Sequence, residues 1–186
     1  MDRFILEQIR RRHLLREAEG YLELQLFDRA LEVLDRLPEA DRESFHALLI
    51  RAEILRHMEQ HQSALEIFSK IIEQDPDNVD IRLAMGWCHK RVGRIDLACD
   101  DLEKAKLVDP DNALVLYNLA CYYSLAGKKR EALSHLEQAL RRKPDLRKLI
   151  DTESDFDPLR SDPDFIHLVY NESVSYTHLR AHETPE

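Results

Sequence analysis

The sequence has little of what lets a chain turn often: 4 Gly and 7 Pro among 186 residues. That scarcity weighs against a many-turned sheet and favours long helices. Cysteine is nearly as sparse. Cys88, Cys99 and Cys121 form an odd set without the CxxC spacing of a metal site. They read as reduced, mostly buried thiols of a cytoplasmic protein. No run approaches the roughly 20 apolar residues that cross a membrane, and the first residues lack the apolar stretch of a signal peptide. Positive charge is also short, with 27 Lys and Arg against 36 Asp and Glu and a net charge of -9. Phosphate binding draws on clustered cations, so nucleic acid is not expected as the main ligand. A charged fraction of 34% and a mean hydropathy of -0.49 fit a soluble chain.

What the sequence does have is a period. Pro76, Pro110 and Pro144 stand 34 positions apart. The same spacing joins Ala30, Ala64, Ala98 and Ala132, then Ala18, Ala52, Gly86 and Ala120, then Leu34, Phe68, Leu102 and Leu136. Fixed periods of this length mark repeat architectures, in which each unit is one supersecondary motif stacked on its neighbours. The columns make physical sense for paired helices. Small residues stand where two backbones must approach closely, a bulky one fills the gap beside them, and proline follows the second helix, which it cannot continue. Gly93 and Gly127 fall between the helices of a pair. Asp75-Pro-Asp-Asn78 and Asp109-Pro-Asp-Asn112 join one pair to the next, where Asp or Asn can cap the following helix.

These columns resemble the tetratricopeptide repeat family, whose copies are about 34 residues long. The resemblance covers roughly three quarters of the chain and sets copies at 11–44, 45–78, 79–112 and 113–146. Residues 1–10 extend the first helix. The resemblance implies an all-α fold, a right-handed superhelix (α-solenoid) of antiparallel helix pairs A and B. Copy one departs from the pattern, with Arg42 in the proline position and a proline early at Pro38, and reads as a degenerate copy with a long first helix. After Pro144 the period stops. Residues 147–173 resemble the closing segment of bacterial members of the family. Their Asp155-Phe-Asp-Pro-Leu-Arg160 and Asp162-Pro-Asp-Phe165 stretches are expected to lay Phe156, Leu159, Phe165, Ile166 and Val169 over the end of the last repeat. Residues 174–186 resemble a translated transposase-type sequencing adapter. They are set aside as a non-native tail, which leaves the true C-terminus open and declines His178 and His182 as a metal pair.

The family resemblance also implies where a partner binds. Positions two, five, nine and twelve of each A helix face the concave groove. They are His46, Leu49, Glu53 and Arg56 in copy two, Asp80, Leu83, Trp87 and Lys90 in copy three, and Leu114, Tyr117, Cys121 and Ser124 in copy four. Leu49, Glu53, Leu83, Trp87, Lys90, Tyr117, Asn118 and Cys121 are the candidate contacts, with Asn118 at a position where relatives hydrogen-bond a peptide backbone. The Lys and Asn clamp with which co-chaperone members hold a C-terminal carboxylate is missing: position five is Leu15, Leu49, Leu83 and Tyr117, so chaperone-tail binding is not expected.

Sites of chemistry are not apparent. Cys88 and His89 are adjacent and point to different faces of a helix. His57 and His61 flank the turn of copy two and read as a solvated turn. The runs Lys128, Lys129, Arg130 and Arg141, Arg142, Lys143 lie at the two ends of a helix, and the second suits the negative pole of its dipole. No Gly-rich phosphate loop, HExxH or GxSxG occurs. Neither a catalytic residue, a metal site nor a cofactor is expected. The expected function is a protein–protein interaction scaffold whose partner is a peptide or protein surface, without enzymatic activity. The alternative is a structural subunit that self-assembles or completes a larger complex, so a homo-oligomer stays open.

Overall fold

The computed structural model describes residues 3–171, and every regular element among them is helical. The chain forms two compact units, Met1–Arg94 and Ile95–Glu186. The first contains α1 (Arg3–Glu23), α2 (Phe27–Asp35), a short α3 (Glu39–Arg42), α4 (Phe45–His57), α5 (His61–Gln74) and α6 (Val79–Arg91). The second contains α7 (Ile95–Val108), α8 (Ala113–Leu125), α9 (Lys129–Arg142) and a run of short turns. In the first unit α1 packs on α2, α4 on α5 and α5 on α6; in the second α7 packs on α8 and α8 on α9.

The turns inside the pairs share one mechanism. Residues 25, 59, 93 and 127, again 34 apart, all sit in the left-handed region: Gln25 at φ 58°, Glu59 at 60°, Gly93 at 77° and Gly127 at 71°. At each, the N–H of this residue reaches back three positions, as Gly127 does to Ser124 O at 3.0 Å. The next N–H reaches back five, as Lys128 does to Tyr123 O at 2.9 Å. That double bond pattern satisfies carbonyls the helix end would otherwise leave open, and it ends the helix sharply. Copies three and four place glycine there, where the lack of a Cβ removes the steric cost; copies one and two tolerate a side chain.

The turns between pairs use a second device. Asn78 Oδ1 accepts from Ile81 N at 3.0 Å, and Asn112 Oδ1 from Leu114 N at 3.1 Å and Val115 N at 3.2 Å. Each asparagine donates in turn to the aspartate three residues before it, Asp75 at 2.8 Å and Asp109 at 3.1 Å. Asn thus caps the helix and Asp holds Asn. The degenerate first copy solves the same problem differently. Arg42, in the proline position, donates to Leu37 O at 2.9 Å and Asp35 O at 2.5 Å, tying the last carbonyl of α2 and one just beyond it.

The period columns are the core. Ala18, Ala30, Ala52, Ala64, Ala98 and Ala120 have no exposed surface, and Leu34, Phe68, Leu102 and Leu136 have at most 1%. Burying a side chain as large as Phe68 contributes about 1.5–3 kcal/mol, whereas an exposed pair such as Arg29–Glu32 contributes about 0–1 kcal/mol. The columns, and not the surface charges, hold each pair together.

Beyond α9 the chain runs through a 3₁₀ turn (Pro144–Leu146), α10 (Arg147–Ile150), a second 3₁₀ stretch (Ser154–Leu159), α11 (Pro163–Ile166) and a π turn (His167–Asn171). Phe156, Leu159, Phe165 and Val169 are buried, but Ile166, expected among them, is 40% exposed. The reason is helical phase: Phe165 and Val169 are four residues apart and share the inward face, and Ile166 is turned about 100° from Phe165. Asp162 caps α11, accepting from Asp164 N at 2.9 Å, with Pro163 at the first helical position. Arg160 fastens the loops, donating to Ile150 O, Asp151 O and Glu153 O at 2.9–3.1 Å. The expected non-native tail, 174–186, lies outside the described residues.

The left-handed positions make a direct test of this account. Glu59→Gly should raise stability by about 0.5–1 kcal/mol and Gly93→Ala lower it by about 1 kcal/mol, read from urea unfolding midpoints. An added Cβ at Gly93 meets nothing within 4 Å, so its cost is one of backbone conformation alone.

Candidate functional site

In the first unit, α4 and α6 carry the side chains that the repeat register marks as partner-facing. Residues 49, 53 and 56 lie on one face of α4, and 83, 87 and 90 on one face of α6, through the i, i+4, i+7 spacing of a helix. Leu49, Glu53, Leu83, Trp87 and Lys90 are all partly exposed, and Leu49 and Trp87 also pack on the core beneath. Trp87, the one tryptophan of the chain, is the centre of this face. The Arg56 guanidinium lies 5.2 Å and the Arg91 guanidinium 5.6 Å from its ring centroid. Arg56 is aimed by Glu53, to which it donates from Nε at 2.9 Å and Nη2 at 2.6 Å.

His61 supports the indole from the side, its ring edge-on at 5.0 Å and 88°. The expectation of a solvated turn fails here: His61 is buried, because Trp87 covers it, while His57 stays exposed and stacks near Phe27 at 6.0 Å. Burial, with the cations of Arg91 and Arg56 nearby, holds the His61 pKa below its ordinary value, and the carboxylate of Glu59 opposes them. Its imidazole is neutral at pH 7, and Nε2 accepts from Arg91 Nε at 3.5 Å.

The same register positions have another fate on α8, in the second unit. Tyr117 is 4% exposed, Cys121 1% and Ser124 1%. The stretch Ser154–Leu159 packs on α8, and the Phe156 ring meets Tyr117 edge-to-face at 5.7 Å and 83°. Phe165 stands behind Phe156 at 5.5 Å. Burial pushes the Tyr117 hydroxyl well above the ordinary tyrosine range. Tyr117 and Cys121 are therefore side chains under the closing segment, where the sequence reading expected groove contacts. Asn118 is partly exposed, and its Nδ2 donates to Leu114 O of its own helix at 3.0 Å.

The Cys121 thiol and the Glu153 and Asp155 carboxyls lie within 4.8 Å of one another, the one such group of three among the described residues. Glu153 also accepts from Asp155 N at 3.2 Å, so one of its oxygens serves the turn. The basic runs are engaged too. Lys128 lies 5.4 Å from the Tyr123 ring centroid, Lys129 pairs with Asp162 at 2.6 Å and Asp164 at 2.8 Å, and Arg142 Nε donates to Asp111 at 2.8 Å.

Sequence profiles described as tetratricopeptide repeat match residues 15–79, 55–115 and 113–146. The chain belongs to the tetratricopeptide repeat family. Among solved structures, this tetratricopeptide repeat chain is similar to a crystal structure of MamA, at 21% identity over 74% of this chain and 81% of that chain, with a TM-score of 0.67. A second MamA crystal structure aligns over 95% of this chain and 98% of that one, at 17% identity and a TM-score of 0.72. MamA from Desulfovibrio magneticus RS-1, from residue 41 to its end, gives 16% identity over 73% and 76%, with a TM-score of 0.67. At these identities the likeness is one of fold, an all-α array of antiparallel helix pairs. A search of curated proteins returns no match.

The three thiols are buried and form no disulfide. Burial pushes Cys88 and Cys99 up to about 11, from an ordinary value of 9.0. Because the unfolded chain releases these protons first, their contribution to stability is whole below pH 9 and is lost as pH rises toward 11. Two results should follow. A thiol reagent at pH 8 should label the folded chain at least tenfold more slowly than the urea-unfolded chain. Urea midpoints should fall between pH 9 and 11, and fall less in Cys88→Ala/Cys99→Ala.

Proposed function

We propose that this chain is a protein-interaction scaffold of the cytoplasm, binding a peptide segment or protein surface on the α4–α6 face of its first unit. The observation that carries the reading is Trp87: a large aromatic side chain, partly exposed, flanked by Leu83 and Leu49 and held by Arg56, Arg91 and His61. Aromatic and arginine side chains dominate the energetics of protein interfaces, because they bury much area and lose little freedom when already held. The family supplies shape and not chemistry, and the reading accordingly rests on a binding face and includes no reaction. Among the described residues no helix is long and apolar enough to cross a membrane. Lys90 and Glu53 border the apolar centre and set orientation.

Affinity capture followed by mass spectrometry tests this. A partner held by the wild-type chain should be weakened about tenfold or more by Trp87→Ala. It should be unaffected by Leu107→Ala, whose side chain is 79% exposed in the second unit. Far-UV circular dichroism should be the same for all three proteins. A partner held equally by Trp87→Ala contradicts the assignment of the face.

A further inference from the structure

We infer that the partner segment is acidic: a peptide that sets carboxylates beside an apolar side chain, the carboxylates meeting Arg91 and its cationic neighbours and the apolar group meeting Trp87, Leu83 and Leu49. This rests on the α4–α6 face being the binding face. The chain as a whole carries -9, yet the surround of the indole is cationic. Arg56, Lys90 and Arg91 stand on or beside it, against Glu53 and Glu59.

The two carboxylates are spent unequally. Glu53 is committed to Arg56 through two short hydrogen bonds. Glu59 is 3.8 Å from Arg91, and their side chains are 78% and 46% exposed. An exposed pair of that length contributes little, so a partner's carboxylate displaces Glu59 at small cost. What it gains is larger. The Arg91 guanidinium is already placed by the indole and by His61, so little freedom is lost on pairing. An apolar group packed on Trp87 also excludes water from the new pair, which strengthens it. Burial is the largest cause of the depressed His61 pKa, and among the nearby charges Arg91 and Arg56 act on it against Glu59. A basic segment would meet like charge here. A long polyanion would meet the acidic turns Asp75-Pro-Asp77 and the negative chain at large, which favours a short acidic peptide over nucleic acid.

The test is selection from a random peptide library displayed on phage, with the wild-type chain and Trp87→Ala in parallel. The one indole then reports binding of each synthesised winner by its emission. Peptides enriched by the wild-type chain alone should be net acidic. Replacing their acids by amides should weaken binding about tenfold or more, and Arg91→Gln should weaken the acidic form by a clearly larger factor than the amide form. Affinity should fall with added salt. Enriched peptides that are neutral or basic, yet shift the indole emission, would overturn the acidic inference and leave the binding face standing. No enrichment above Trp87→Ala would overturn the face and the inference together. Single-stranded DNA that shifts the emission at lower concentration than any selected peptide would overturn the peptide partner.

Discussion

Two helices approach closely only where neither projects more than a small side chain at the crossing. In this chain that condition is met by alanine at 18 and 30, 52 and 64, and 120 and 132, all with no more than 1% of their surface exposed. The rest of the structure depends on this approach. It brings the bulky residues at 34, 68 and 136 into the gap, where the side chains are nearly or fully buried. It also fixes which residues of each first helix remain outside. A larger side chain at a crossing would push the helices apart, and a packed interior does not absorb even a methylene without strain. The turns serve the same end: a left-handed residue stops one helix, and the next begins within three residues.

Because the repeat fixes only which side chains point outward, what happens to them depends on what lies next to them. On α4 and α6 the outward positions hold leucines, an indole and charges that remain partly exposed. On α8 the equivalent positions hold Tyr117, Cys121 and Ser124, all buried, and the closing segment packs on this helix, with Phe156 on Tyr117. A terminal repeat has no following copy to cover its apolar side, and the segment after α9 takes that role with Phe156 and Phe165. Covering a bare end is also why the segment is fastened so firmly: Arg160 holds three carbonyls, and Lys129 holds Asp162 and Asp164.

Much of this was legible in the sequence, since it is written at a fixed spacing. The alanine columns, the capping asparagines at 78 and 112 and the two left-handed glycines follow from periodicity joined to backbone sterics. The other two left-handed residues, Gln25 and Glu59, escape such a reading because their side chains conceal the conformation. The burial of Tyr117 was not legible either. It is a contact between residues 39 positions apart, made by a segment that has left the period, and no spacing rule announces it. His61 was missed for a related reason: it opens a helix beside a turn, a place where histidine is commonly solvated, and only Trp87 across the unit removes it from water. Trp87 itself was legible, as the one large aromatic at an outward register position of the first unit.

The central claim is that the family's outward positions are available on α4 and α6, whereas on α8 the chain itself closes those of Tyr117 and Cys121. Hydroxyl-radical footprinting of the chain, alone and with a captured partner, measures this residue by residue. Trp87 and Leu83 should react in the free chain and be protected in the complex, while Tyr117 reacts weakly in both. Strong reaction at Tyr117 in the free chain, or a complex that leaves Trp87 as reactive as before, would contradict the account.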